Sequence, residues 1–176
     1  MYSRSLIKLI DEALLPAVLI ILAEIVGLTL VNTFYNLSWS FTGGGITYAT
    51  TEELILANSF SSMVVYAVIL VGFSWVVMRA HLTHATHIHP TVHATLARLN
   101  LTHLVEDTFQ IYHEAVVWVS YLWLFSLWFG IQLYLGLIHS IVFVTALVLS
   151  SLVTWLFITD VEREFHIPGI KQRVQK

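Results

Sequence analysis

Residues 115–159 read AVVWVSYLWLFSLWFGIQLYLGLIHSIVFVTALVLSSLVTWLFIT, without a single Asp, Glu, Lys or Arg. A bilayer core of about 30 Å is crossed by roughly 20 predominantly apolar residues in an α-helix. The stretch is too long for one crossing and has a suitable length for two. We therefore predict helices at about 115–135 and 140–159, joined by a tight turn near Gly136, with Ser140 capping the second helix.

Two earlier stretches have the same character, at about 13–33 and 57–78. The second follows Thr50-Thr51-Glu52-Glu53, which has the form of a capping box and predicts that its helix begins before the membrane. Over all 176 residues, 57% are hydrophobic and 11% are charged, whereas soluble globular domains have about 25% charged residues. The sequence therefore excludes a soluble monomer. It predicts one all-α integral membrane domain, spanning 1–176, with four transmembrane helices.

The positions of the basic residues predict the orientation. All eight Lys and Arg residues lie before the first span, between the second and third spans, or after the fourth span. The connection between the first and second spans contains none. By the positive-inside rule, both termini and the polar segment between the second and third spans are expected on the cytoplasmic side. The N-terminal segment is expected to be a retained anchor, because it lacks a small-residue cleavage site.

Composition also excludes several function classes. The net charge of −3 argues against a nucleic-acid binder, which would need clustered basic residues. The absence of cysteine excludes disulfides, thiolate metal sites and Cys nucleophiles.

Histidine is concentrated in the inner segment, which holds seven of the nine His residues. His81, His84 and His87 recur every third residue. A second group of His and carboxylate side chains lies between residues 103 and 114, at a spacing that would place them on one face of a helix. The candidate metal ligands or pH-sensing groups are His81, His84, His87, His103, Glu106, Asp107, His113 and Glu114. Imidazole and carboxylate bind divalent transition metals, and histidine titrates near neutral pH. A solvated polar stripe at the foot of a membrane helix is the competing interpretation.

Glu24 lies near the middle of the first span, where an ionisable group is a candidate functional site. We expect its protonated side chain to hydrogen-bond to a hydroxyl at similar depth. The candidate partners by depth are Tyr66, Ser126, Ser150 and Ser151. The alternative is a proton or cation site in a transport path.

Helix packing supplies the last motif. Small residues recur every fourth position at Ala146, Ser150 and Thr154, a spacing that lets another helix approach closely. The third span is instead rich in Trp, Tyr and Phe, which suits contact with lipid or with another subunit.

These features predict a non-catalytic, multi-pass membrane subunit that assembles with itself or with a larger membrane complex. One alternative is a homo-oligomeric proton or divalent-cation channel or transporter that uses Glu24 and the cytoplasmic His cluster. A second alternative is a membrane enzyme with a divalent transition metal held by the His and carboxylate side chains.

Overall fold

The computed structural model describes residues 14–83, 98–99 and 108–165, except for the side chains of 80–83, 108–111 and 163–165. Four long helices and one short hairpin make up this part of the chain. In chain order they are α1 (Leu15–Tyr35), β1 (Trp39–Thr42), β2 (Gly45–Tyr48), α2 (Thr51–Thr83), α3 (Thr108–Tyr134) and α4 (Ser140–Phe165). All four helices are long and apolar enough to cross a membrane, which confirms the prediction of a membrane protein with four such helices.

The observed helices extend beyond the spans predicted from hydropathy. Helix α2 begins at Thr51 and runs to Thr83, and α3 begins at Thr108. The hydropathy pattern marks only the part of a helix that is apolar, whereas these helices continue into polar sequence.

Both ends of α1 have residues that suit a helix end. Pro16 occupies the first turn of α1, where its missing N–H breaks no helical hydrogen bond. At its end, Asn36 adopts the left-handed conformation with φ 51°.

The capping box at the start of α2 forms as the sequence predicts. The Glu53 backbone N–H donates to Thr50 Oγ1 at 3.2 Å, and the Thr50 backbone N–H donates to Glu53 Oε2 at 3.3 Å. The Ser38 backbone N–H also donates to Glu53 Oε1 at 3.4 Å. Glu53 therefore closes the first turn of α2 and contacts the base of the hairpin.

The hairpin was not expected from the hydropathy pattern. Strands β1 and β2 pair antiparallel, with Trp39 opposite Tyr48 and Thr42 opposite Gly45. The loop between them is Gly43-Gly44, and Gly45 has φ 120°, a value that a residue with a side chain rarely adopts. A short β element therefore connects two membrane helices within the all-α fold.

A second tight connection joins α3 to α4. Gly136 has φ 70°, its N–H donates to Leu133 O at 2.9 Å, and the next N–H donates to Gln132 O at 2.9 Å. Two such bonds across a left-handed glycine terminate a helix without leaving its last carbonyls unpaired. Ser140 is the first residue of α4 rather than its cap. The residue before it, His139, donates its backbone N–H to Ser59 Oγ at 2.9 Å.

Helix α2 is the centre of the packing. It contacts α1 on one side and α3 and α4 on the other, whereas α1 packs mainly against α2 alone. The core consists of residues such as Ile20, Val65, Ile69, Leu122 and Phe129. The four helices therefore form an open arrangement around α2 rather than the closed ring in which each helix has two full neighbours.

Candidate functional site

Glu24 lies at the edge of the buried face of α1 and contacts α2. The Ser61 hydroxyl, which is fully buried, donates to Glu24 Oε1 at 2.9 Å and lies 3.2 Å from Asn58 O. One turn further along α1, Gly27 allows the two backbones to approach. A Cβ atom at this position would lie 2.8 Å from Ser61 Cα. The close contact at Gly27 therefore holds the carboxyl group against the hydroxyl.

The partner of Glu24 differs from the sequence-based expectation. Similar depth suggested Tyr66, Ser126, Ser150 or Ser151, but the hydroxyl that Glu24 contacts belongs to Ser61. Depth alone does not decide which helices are neighbours. The expected hydroxyls lie on the far side of α2 or on α3 and α4, whereas α1 packs mainly against α2.

Three of those hydroxyls instead form a cluster of their own. The Tyr66 hydroxyl lies 2.6 Å from Ser150 Oγ and donates to Ala146 O at 2.7 Å. Ser126 Oγ lies 2.8 Å from Ser150 Oγ. All of these side chains are buried, and they join α2, α3 and α4. The fourth, Ser151, is exposed and bonds to Leu147 O within its own helix.

The predicted row of small residues on α4 faces the inside of the chain. Ala146 and Ser150 are buried in the hydroxyl cluster. Thr154, one turn further, accepts a 2.9 Å hydrogen bond from Trp123 Nε1 of α3. On α3, the Trp118 indole packs against α2 so closely that a Cβ atom on Gly72 would overlap it. The small residues of α4 and the tryptophan side chains of α3 therefore make contacts between helices of the same chain.

At the other end of α2 from the hairpin, Arg79 forms an ion pair with Glu114 of α3. Glu114 was predicted as a possible metal ligand or pH-sensing group, and the structure pairs it with a cation. Arg79 is one of the eight basic residues from which the orientation is predicted, and no contact was predicted for it. Its position at the end of one predicted span and that of Glu114 at the start of the next could have suggested the pair.

The remaining members of the predicted His and carboxylate stripe are mostly not described. His113 is exposed on the first part of α3. His81 lies in α2 without a described side chain, and His84, His87, His103, Glu106 and Asp107 lie outside the described residues. Among the residues that are described, no group of three or more His, Asp or Glu side chains could hold a metal ion.

The end of the α1–α2 contact nearest the hairpin carries a further polar pair. The Tyr48 hydroxyl of the hairpin donates to Asn32 Oδ1 at 3.1 Å. Burial raises the pKa of Tyr48, the bond to Asn32 lowers it, and a negative charge on Glu24 raises it. The phenol therefore stays protonated at neutral pH and donates its hydrogen bond to Asn32.

Comparison with protein-family models, with curated proteins and with solved structures finds no match to this chain.

Proposed function

We propose that this protein is a non-catalytic membrane subunit that assembles with further copies of itself or with a larger membrane complex. The observation that carries the proposal is the open packing of the helices. The central helix α2 leaves one face exposed, on which Met63, Val71 and Met78 are 52%, 69% and 46% exposed. Another protein helix packs more closely against such a face than a lipid chain does, and close packing stabilises helix association in membranes.

The polar groups of the spans support a structural role. The Glu24–Ser61 bond joins α1 to α2, and the Tyr66–Ser150 contact joins α2 to α4. Both pairs therefore act between helices of the same chain. Interhelical hydrogen bonds of this kind are worth about 0.6 kcal/mol on average, which suits a scaffold built from several small contributions.

The proposed orientation places both termini and the ion pair of Arg79 and Glu114 on the cytoplasmic side. It rests on the distribution of the eight basic residues, none of which lies between α1 and α2. The hairpin precedes the first residue of α2, and Arg79 lies near the end of this helix. This separation supports an outer hairpin and an inner ion pair.

Single cysteines test the assembly, because the native chain has none. Val71→Cys on α2 and Val148→Cys on α4, which is 60% exposed, place thiols on outward faces of the chain. Treatment of native membranes with a lipophilic thiol cross-linker should give a discrete larger product from at least one variant. Val65→Cys, a buried position, is the control and should give none. Absence of a product from both outward positions would contradict the proposal.

A second candidate function is ion transport by an assembly of this chain. It is supported by Glu24, an acidic side chain held at the contact between two helices in the middle of α1. If the carboxyl group carries the ion, Glu24→Gln should abolish flux in proteoliposomes. Unchanged flux in that variant would exclude a transport role for Glu24.

A further inference from the structure

A cleft of about 290 Å³ lies between α1 and the hairpin. Leu28, Thr29 and Asn32 line it from α1, and Trp39 and Ile46 line it from the hairpin. Asn32 is also the acceptor for the Tyr48 hydroxyl, so a polar pair borders the cleft. The cleft therefore leads from the outer connection down the side of α1.

The inner end of the cleft lies close to Glu24, because Ile25, the next residue on α1, lines the cleft, although Glu24 itself does not. Leu28, which lines the cleft, follows Glu24 by four residues, and side chains at this spacing lie on the same face of a helix. Thr29, Asn32 and Thr33 supply the polar part of a lining that is otherwise mostly apolar. Water bound at Thr29 would lie about one and a half helical turns from Glu24.

The charges around Glu24 decide which ion it can bind. The chain has no basic residue between Lys8 and Arg79, so α1 and the hairpin offer no cation to neutralise a carboxylate. From α2 the group that faces Glu24 is the Ser61 hydroxyl, and the titratable group of the hairpin is Tyr48. Divalent cations such as Ca²⁺ and Mg²⁺ take six or more oxygen ligands. One carboxylate, one hydroxyl and one nearby carbonyl supply only part of such a shell, whereas a proton needs a single oxygen, so the described groups suit a proton best.

We infer that Glu24 is a proton-binding site that exchanges with water on the hairpin side of the membrane through the cleft beside Thr29 and Asn32. A hydronium ion transfers its proton to the carboxylate, which becomes a neutral carboxylic acid, and one water molecule is released. The inference names the ion and the side of access for the second candidate function. It does not depend on the assembly proposal.

Access is tested with single cysteines in the otherwise cysteine-free chain. Thr29→Cys places a thiol in the cleft, six residues before the end of α1. Val148→Cys places one on the exposed apolar surface of α4, eight residues after the start of that helix. A charged, membrane-impermeant thiol reagent is added to the hairpin side of oriented proteoliposomes. Because only the hydrated thiolate reacts, Thr29→Cys should be labelled at least about tenfold faster. Equal labelling rates would overturn the inference.

Proton binding is tested by infrared difference spectroscopy between acidic and alkaline buffer on the hairpin side. The native protein should show a carboxylic acid C=O band that is lost in alkaline buffer, and Glu24→Gln should lack this band. Glu24→Asp keeps a carboxyl group and should retain a band at a shifted frequency. This variant replaces Glu24→Gln in the test if the glutamine variant does not fold. A spectrum that is the same in the native protein and in both variants would overturn the inference. Proton binding without flux would support the site and exclude transport.

Discussion

Replacing Gly27 with alanine tests the close contact between α1 and α2. The added Cβ atom would lie 2.8 Å from Ser61 Cα, whereas ordinary contacts of a Cβ atom begin at about 3.4 Å. The obstacle is backbone, so the helices must separate by roughly 0.6 Å. With unchanged side-chain torsions, the Glu24–Ser61 distance would lengthen from 2.9 Å to about 3.5 Å, at the limit of a hydrogen bond.

The expected cost follows from three contributions. Overpacking costs about 1–3 kcal/mol, and the lost hydrogen bond costs about 0.6 kcal/mol. The higher helix propensity of alanine offsets about 1 kcal/mol. The net destabilisation of Gly27→Ala is therefore about 0.6–2.6 kcal/mol. It is measured as the loss in free energy of unfolding in mixed micelles of mild detergent and SDS.

Gly130→Ala is the matched control for this prediction. Its added Cβ would lie 3.2 Å from a ring carbon of Phe143, and a side chain can rotate away where a backbone cannot. We expect Gly130→Ala to be neutral or slightly stabilising. If Gly27→Ala is as stable as Gly130→Ala, α1 does not dock on α2 as described.

Three further changes have expected outcomes. Tyr66→Phe removes the hydroxyl that contacts Ser150 and should lower the free energy of unfolding by about 0.6–1.7 kcal/mol in the same micelles. Thr50→Ala removes the cap of α2 and should cost about 1 kcal/mol, with a loss of protection from hydrogen exchange at the first turn of the helix. A double-mutant cycle with Arg79→Met and Glu114→Gln should give a favourable coupling energy that falls with rising salt. A free energy of unfolding equal to that of the native protein would contradict the contact removed by Tyr66→Phe or Thr50→Ala. A coupling energy of zero would contradict the ion pair.

The sequence predicts the helices well because both signals behind them are local. Hydropathy over about 20 residues identifies each span, and the capping box at Thr50 and Glu53 identifies one helix start. The hairpin was missed although its signal is also local. Residues 39–42 and 46–48 alternate between apolar and polar side chains around Gly43 and Gly44, which is typical of a β-hairpin.

The contacts of Glu24 were less predictable because they depend on which helices are neighbours. Residue numbers give the depth of a side chain in the membrane, and they indicated that Glu24 would meet a hydroxyl. They do not give the rotation of each helix or the open arrangement around α2, which places Ser61 at this position. The same limitation applies to Ala146 and Ser150. Their spacing predicts a close helix contact, but it does not show that the contact lies within the chain.

Assembly is the central claim, and native mass spectrometry of the protein, gently extracted from its own membrane, tests it most directly. We predict a particle that contains more than one polypeptide chain, either several copies of this one or this chain with other subunits. A particle that contains a single copy of this chain alone, and that retains its fold and bound lipid under the same conditions, would contradict the claim.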